Sequence, residues 1–391
     1  MSQLNVNAIR HTGASSDAVT LAADGTCTAK ITNNLSNRNL IVNGDMRIAQ
    51  RGTTSTANNY GTIDNFGINY GGTDEAPTQA QVDIAAGTTP YTLGFRKAFQ
   101  ITNGNQTSGA GAGDWVGMYQ WVESQDCASS GWNYTSTSSY ITLSFWVKSS
   151  VAQNFYGYCR TNDGTNKLYP FETGSLSAGT WTKVTKKIPG HADIQFDNNN
   201  GHGIGFEFWA FIGTDYTDSG ATTGVWSTYT SGSRTLDAPT TWYTTNDATL
   251  EITGVQLEAG DTATDFEFRT YGDELARCKR YFHRIETSAN GNPAGIYMSG
   301  LLAYNTTSVY GHVCDFPTTM RAIPTVTKVG TITCGNAAGG NGGAITSSNF
   351  DYCTRNQCCT SGETGSSGLV GGNCSSLNLA ADTSLSFSAG L

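Results

Sequence analysis

Apolar and polar residues alternate with a period of two along much of this chain. In the run from Tyr140 to Val147, Ile141, Leu143, Phe145 and Val147 point one way. Asn154 to Cys159 follows across a turn, and Trp181 to Ile188 alternates again. From Gly203 to Ile212, residues Ile204, Phe206, Phe208, Ala210 and Ile212 share a face, and Leu250 to Glu258 closes the set. Strands of this kind, separated by Gly/Asn/Ser-rich turns, predict a two-sheet β-sandwich over residues 39–270. Leu4 to Ile9 and Ala18 to Leu21 also alternate, with a turn at Ala23 to Thr26, so residues 1–38 read as a small separate module. A module of that size buries too little to stand alone and is expected to dock or to intertwine with copies of itself. Periodicity changes once. Tyr271, Leu275, Cys278, Phe282 and Ile285 fall at helical spacing, predicting a linking helix over residues 271–285 with an apolar packing stripe. Thr270 to Asp273 is a capping signal, Asp273 and Glu274 lie in the first turn, and Arg277, Lys279, Arg280 and Arg284 crowd the end. Residues 286–391 return to strand-like runs at 294–304 and 308–314, then turn Gly-, Ser- and Asn-rich, which predicts a small C-terminal β-domain with long loops. The fold class expected is mainly β: a jelly-roll sandwich, an N-terminal β module, one helix and a C-terminal β-domain.

Composition narrows the function. The chain has 391 residues, of which only 14% are charged, with 47 Gly and a net charge of −9. Such a polar, weakly charged surface suits an extracellular β-protein facing sugars, and the negative balance disfavours nucleic-acid or anionic-membrane binding. No apolar run reaches the length of a membrane span, and the N-terminus lacks the charged start and apolar core of a signal peptide, so folding in a cytoplasm is expected. Cys314, Cys334, Cys353, Cys358, Cys359 and Cys374 cluster towards the C-terminus. Free thiols are the favoured reading and disulfides formed after release the alternative; no CxxC pair supports zinc.

Motifs for nucleotide binding, metalloproteolysis or serine hydrolysis are missing from the sequence. His191 and His202 flank Asp193 and Asp197, but surface loop residues explain them better than a metal cluster. Glu207 and Glu251 are the carboxylates to weigh for glycoside cleavage, which needs two acids across a groove; alternation puts both on outer faces of their strands. Asp215, Asp218 and the run from Asp197 to Asn200 offer hard oxygen ligands, so structural calcium stays open, although no calcium-loop spacing is present. No cofactor is expected. Aromatic residues carry more. Trp115, Tyr119, Trp121, Trp132, Tyr134, Trp226, Trp242 and Tyr243 lie mostly in polar, irregular segments. An exposed ring stacks on the apolar face of a sugar while Asn, Asp and Thr neighbours bond its hydroxyls, so these are the carbohydrate-binding candidates. The competing reading is that they seal the sandwich edges.

Three segments resemble, in the same order, runs in tail-fibre and appendage proteins of tailed bacteriophages: Asn39 to Gly52 (NLIVNGDMRIAQRG), Gly254 to Phe282, and Met320 to Val326 (MRAIPTV). Residues 1–30 are similar to N-terminal attachment segments of such proteins, especially from marine and cyanobacterial phages, and the strands from 140 to 185 look like the jelly roll of carbohydrate-binding modules. The resemblance implies a homotrimeric, non-enzymatic virion protein assembled in the host cytoplasm. It would attach to other tail or baseplate proteins through residues 1–38 and display β-domains to host-surface glycan, the C-terminal domain being distal. A virion depolymerase and a connector without glycan binding are the alternatives.

Overall fold

A computed structural model describes residues 6–13, 17–21, 23, 27–29, 37–287, 296–336, 341–349, 352–364, 369–379 and 383–390. The chain is mainly β, and its centre is a jelly-roll sandwich of two six-stranded antiparallel sheets. In the front sheet the order is Ser227–Thr228, Lys167–Ser175, Asn154–Thr161, His202–Ile212, Trp115–Glu123, Gly67–Gly71. In the back sheet it is Thr182–Pro189, Tyr140–Ser149, Thr249–Ala259, Lys97–Thr102, Thr78–Asp83, Thr54–Ser55. The alternating apolar residues fill the space between them, except Ile212, which a register shift at Trp209–Phe211 turns to the outer side beside Trp209. Phe145 of the back sheet packs edge-on to Phe208 of the front sheet at 4.9 Å, and Phe171 closes the cluster.

The N-terminal strands Ala8–Ile9, Val19–Leu21 and Cys27–Ala29 form a three-stranded sheet. Residues 1–5 of the predicted first strand and 24–26 of the predicted turn lie outside the described residues. At the other end, Phe282–Glu286, Ser384–Ser388 and Thr325–Val329 make a second three-stranded sheet. Six further strands close a barrel in the order Ile296–Ala303, Ser308–Asp315, Gln357–Thr364, Asn341–Asn349, Ile332–Asn336, Cys374–Leu379. Cys314, Cys358 and Cys359 are free thiols, and burial raises the pKa of Cys314 to about 12. The side chain of Cys374 lies outside the described residues.

The linking helix is shorter than its apolar spacing predicts. It spans Tyr271–Lys279; Thr270 caps it, its hydroxyl oxygen accepting from the amide of Asp273 at 3.2 Å. Phe282 and Ile285 leave it for the strand Phe282–Glu286, because that strand pairs with Ser384–Ser388. The stripe is correspondingly broken. Cys278 is fully buried and Leu275 half-buried, whereas Tyr271 is 59% exposed. Phe282 packs instead beneath the Arg51 guanidinium, 3.6 Å from the ring centre.

The segments Asn39 to Gly52 and Gly254 to Phe282 meet in a buried polar joint. Arg269 bridges Glu267 and Glu274, both at 3.3 Å, and donates to the carbonyls of Asn39 and Ile41. Glu267 accepts from the amide of Asn39 and Glu274 from that of Asn43. The Asn39 side chain bonds Ile41, Val255 and Leu257 main-chain atoms, locking the entering chain to the last back-sheet strand. The Met320 to Pro324 segment joins the same region. Arg280 forks onto Glu123 at 2.6 and 2.7 Å and donates to the Thr319 carbonyl. Arg321 donates to the carbonyls of Asn200, Ala389 and Gly390.

Removing one partner of a buried, hydrogen-bonded ion pair leaves the other uncompensated, which costs about 3–5 kcal/mol. Arg269→Met is therefore expected to lower unfolding free energy by about 3 kcal/mol in urea titrations; a loss below about 1 kcal/mol would refute the joint's role. His283 gives a second expectation. Burial, and after it the charge of Lys279, lowers its pKa to about 4, its Nδ1 has no hydrogen-bond partner, and it stacks on Phe387. A base whose folded pKa lies below its unfolded value of about 6.5 costs stability as pH falls between the two, because only the unfolded chain takes up the proton. Wild type should lose roughly 2–3 kcal/mol more than His283→Phe between pH 7 and pH 4. Parallel pH profiles of the two proteins would show the term to be absent.

Candidate functional site

The outward phase of the front sheet carries the candidate site. Strand Trp115–Glu123 turns Val116, Met118 and Val122 into the core, so Trp115, Tyr119 and Trp121 face out. Strand His202–Ile212 presents Gly205, Glu207 and Trp209 outwards, and Asn154–Thr161 presents Tyr156, Tyr158 and Arg160. Along the rungs, glycines stand beside rings. Trp121 is paired with Gly205, Tyr119 with Gly67, Trp115 with Gly71, and Trp209 with Gly117. A Cβ on Gly205 would lie 2.7 Å from the Trp121 indole, one on Gly67 2.6 Å from the Tyr119 ring, and one on Gly71 2.3 Å from the Trp115 indole. Each ring thus lies close over its neighbour's bare backbone.

The loop spanning 213–240 covers part of this floor. Tyr216 packs edge-on to Trp115 at 5.3 Å, and Trp209 and Tyr158 are buried beneath the loop. Beyond its edge, Trp121, Tyr119, Glu207 and Arg160 are largely buried but keep some exposure. Glu207 sits on one rung between Tyr119 and Tyr158. Burial raises its pKa, while the hydrogen bond from Tyr158 and the charges of Arg234 and Arg160 act the other way. Arg160 stacks 4.1 Å over Tyr229 of the covering loop, and His202 tilts onto Trp121 at 4.7 Å. On the far side Tyr60 leans on Tyr119 at 5.4 Å, and a small pocket of about 10 Å³ lies between Tyr60, Trp121, Arg51 and Gly390. The arrangement offers flat aromatic faces bordered by one carboxylate and guanidinium groups, the chemistry that holds a sugar ring and its hydroxyls.

Of the aromatic candidates, Trp115, Tyr119 and Trp121 come together here. Trp132, Trp226, Trp242 and Tyr243 are buried in the sandwich core, and Tyr134 packs on Trp132 and Phe196 at its end. Trp226 donates its indole N–H to the Pro189 carbonyl at 2.7 Å. These five rings seal the sandwich, because the irregular segments that carry them fold over its open ends. Glu207 and Glu251 lie on different sheets and opposite outer faces, so within one chain they cannot straddle a bond; Glu251 pairs with Lys148 at 2.9 Å. Asp218 accepts from Gly220 and Ser233, Asp197 from Gln195, and among the described residues no three His, Cys, Asp or Glu side chains converge as a metal site. Arg160, Tyr158 and Tyr60 belong to the face although the sequence did not single them out, and Glu207, weighed there only as a catalytic acid, joins them. The usable signal was the phase of Trp115, Tyr119 and Trp121 with Gly117 between them, matched by Gly205 on the neighbouring strand.

No protein family matches the chain by sequence profile, and no curated protein matches it in sequence. Solved structures do resemble part of it. The enzymatically active domain of bacteriophage CBA120 tailspike protein 4 matches over 57% of this chain and 22% of its own, at 12% identity and a TM-score of 0.30. A carbohydrate-binding module, CBM4, matches over 56% and 98%, at 13% identity and 0.28. The family 11 carbohydrate-binding module from Clostridium thermocellum, in complex with a β-1,3-1,4-mixed-linked tetrasaccharide, matches over 53% and 95%, at 10% identity and 0.24. The chain thus spans about a fifth of the tailspike's length, and likenesses this shallow carry no weight for function.

A methyl group at residue 205 has no room under the indole. Gly205→Ala is expected to push Trp121 off the sheet, moving its resonance in 19F spectra of fluorotryptophan-labelled protein and costing roughly 1–3 kcal/mol of stability. An unshifted Trp121 signal would show that the ring does not rest on that glycine.

Proposed function

We propose that this chain is a non-catalytic virion structural protein, a tail fibre or appendage that recognises host-surface glycan. The observation that carries the binding role is the partly exposed floor of Tyr119 and Trp121, each laid close over a glycine and bordered by Glu207 and Arg160. Flat rings pre-ordered by the backbone gain stacking energy without losing rotamer freedom on binding. One carboxylate on the face, with Glu251 on the opposite side of the sandwich, favours binding over hydrolysis.

Support for the virion role comes from the sequence resemblance. The segments that carry it build the joint around Arg269, Arg280 and Arg321. Attachment through residues 1–38 and a homotrimeric state complete the proposal. Self-association is favoured by an apolar strip beside the chain's exit from the sandwich, where Phe268 is 46% and Leu93 52% exposed. A trimer would multiply a weak single-site affinity by avidity.

Trp121→Ala is expected to weaken binding at least tenfold on an array of bacterial surface polysaccharides while the unfolding midpoint stays close to wild type. A tenfold loss corresponds to about 1.4 kcal/mol of binding free energy. Trp242→Ala should instead destabilise the sandwich by about 3–5 kcal/mol. Wild-type binding in the Trp121 variant, or release of oligosaccharide by the native protein, would overturn the reading. Sedimentation at micromolar concentration tests the trimer, and a stable monomer would exclude it.

A further inference from the structure

We propose that the glycan this face takes is acidic, its anionic group received by Arg234 with Arg160 alongside, at the Tyr229 edge of the aromatic floor. The inference rests on the reading of the face as a glycan site and names the class of sugar. The net charge of −9 means that the protein as a whole repels anionic polymers. Against that background, two guanidiniums share one ring. Arg160 lies 4.1 Å from the centre of Tyr229 and 5.8 Å from that of Trp121. Arg234 lies 4.8 Å from Tyr216 and 5.8 Å from the same Tyr229. Holding two like charges on one tyrosine is unfavourable unless an anion offsets them. Glu207 is a carboxylate on which both act.

A guanidinium stacked on a ring uses its face, while its five N–H donors radiate in its plane. The Arg234 Nε is buried with no hydrogen-bond partner. Its backbone is pinned, the Arg234 amide donating to the Tyr216 carbonyl at 2.9 Å, and the strand Ser227–Thr228 ties the covering loop to the sheet. A carboxylate or sulfate matches such a planar donor set, and the sugar ring that bears it would lie over the neighbouring indole of Trp121. A free inorganic anion would use the guanidinium alone and leave the floor idle.

The test compares affinities for polygalacturonate, dextran sulfate, and the neutral polymers dextran and mixed-linked β-glucan, by affinity electrophoresis of the full chain. We expect one of the two anionic polymers to bind at least tenfold more tightly than either neutral one, the identity of the preferred polymer separating carboxylate from sulfate. Arg234→Met should lower the acidic-to-neutral ratio about tenfold, the loss of one charge-assisted pair, and Arg234→Lys should lower it less. If Arg234→Met does not fold, Arg234→Lys and Arg160→Met give the same ratio. Equal affinity for charged and neutral polymers, or a ratio unchanged by the substitutions, overturns the acidic-glycan inference while leaving the glycan site standing. Failure of the folded wild-type protein to bind any of the polymers, or any bacterial glycan on the array, overturns both.

Discussion

The buried guanidinium of Arg269 is the interaction on which the rest of the structure depends. It bridges Glu267 and Glu274 and donates to the carbonyls of Asn39 and Ile41, so one side chain ties the chain's entry into the sandwich to its exit. Isolated buried charges are costly, and here each is paired and hydrogen-bonded to main-chain groups. The consequence is register. With Glu274 held, the helix that begins at Tyr271 has a fixed start, and its end delivers Arg280 onto Glu123. Glu123 is the last residue of the strand that carries Trp115, Tyr119 and Trp121. The same strand end is therefore anchored to the joint at one side and to the aromatic floor at the other. Arg321 extends the anchoring to the C-terminal strands through Ala389 and Gly390, and Gly390 borders the pocket beside Trp121.

The floor shows how a sheet makes a flat site. An aromatic side chain on a strand ordinarily stands up from the sheet and leans on its cross-strand neighbour. Where that neighbour is glycine, the ring can lie down on the backbone. Glycine weakens a strand, by roughly 0.5–1 kcal/mol relative to alanine, and several occur on this one face. The covering ring restores part of the lost packing. The covering loop then buries the Trp209 end of the floor and leaves the Trp121 end partly open.

Much of the architecture was legible because alternation reports which face is buried. Ile141, Leu143, Phe145 and Val147 are all core residues, as are Ile204, Phe206 and Phe208. The helix end was not legible. Phe282 and Ile285 satisfy a helical spacing, but their strand pairs with Ser384–Ser388 about a hundred residues away, and tertiary pairing outweighs local period. The aromatic residues divided for a similar reason. Polar neighbours around Trp132, Trp226 and Trp242 suggested exposure, yet loops rich in Asn, Ser and Thr close the sandwich ends and carry these rings inwards. Local polarity describes the residues beside a ring in sequence and says nothing of what lies above it.

Strand phase separates the two classes, and it also separates the two outer faces of the sandwich. On the back sheet the outward charges complete one another, while the apolar strip of Leu93 and Phe268 stays exposed. Glu251 pairs with Lys148 and accepts from Gln100, while Phe95 is roofed by Phe266 and Phe268 of the exit segment. On the front sheet the outward groups are left short. Trp121 and Tyr119 each lie close over a glycine and keep some exposure, and Arg234 keeps a buried Nε without a partner. Binding free energy is available only where contacts are unfinished in the free protein, since groups already satisfied by the fold merely exchange partners. A face built from unfinished stacking and unfinished charge, held rigid by the joint behind it, is where a ligand with a ring and an acidic group gains most.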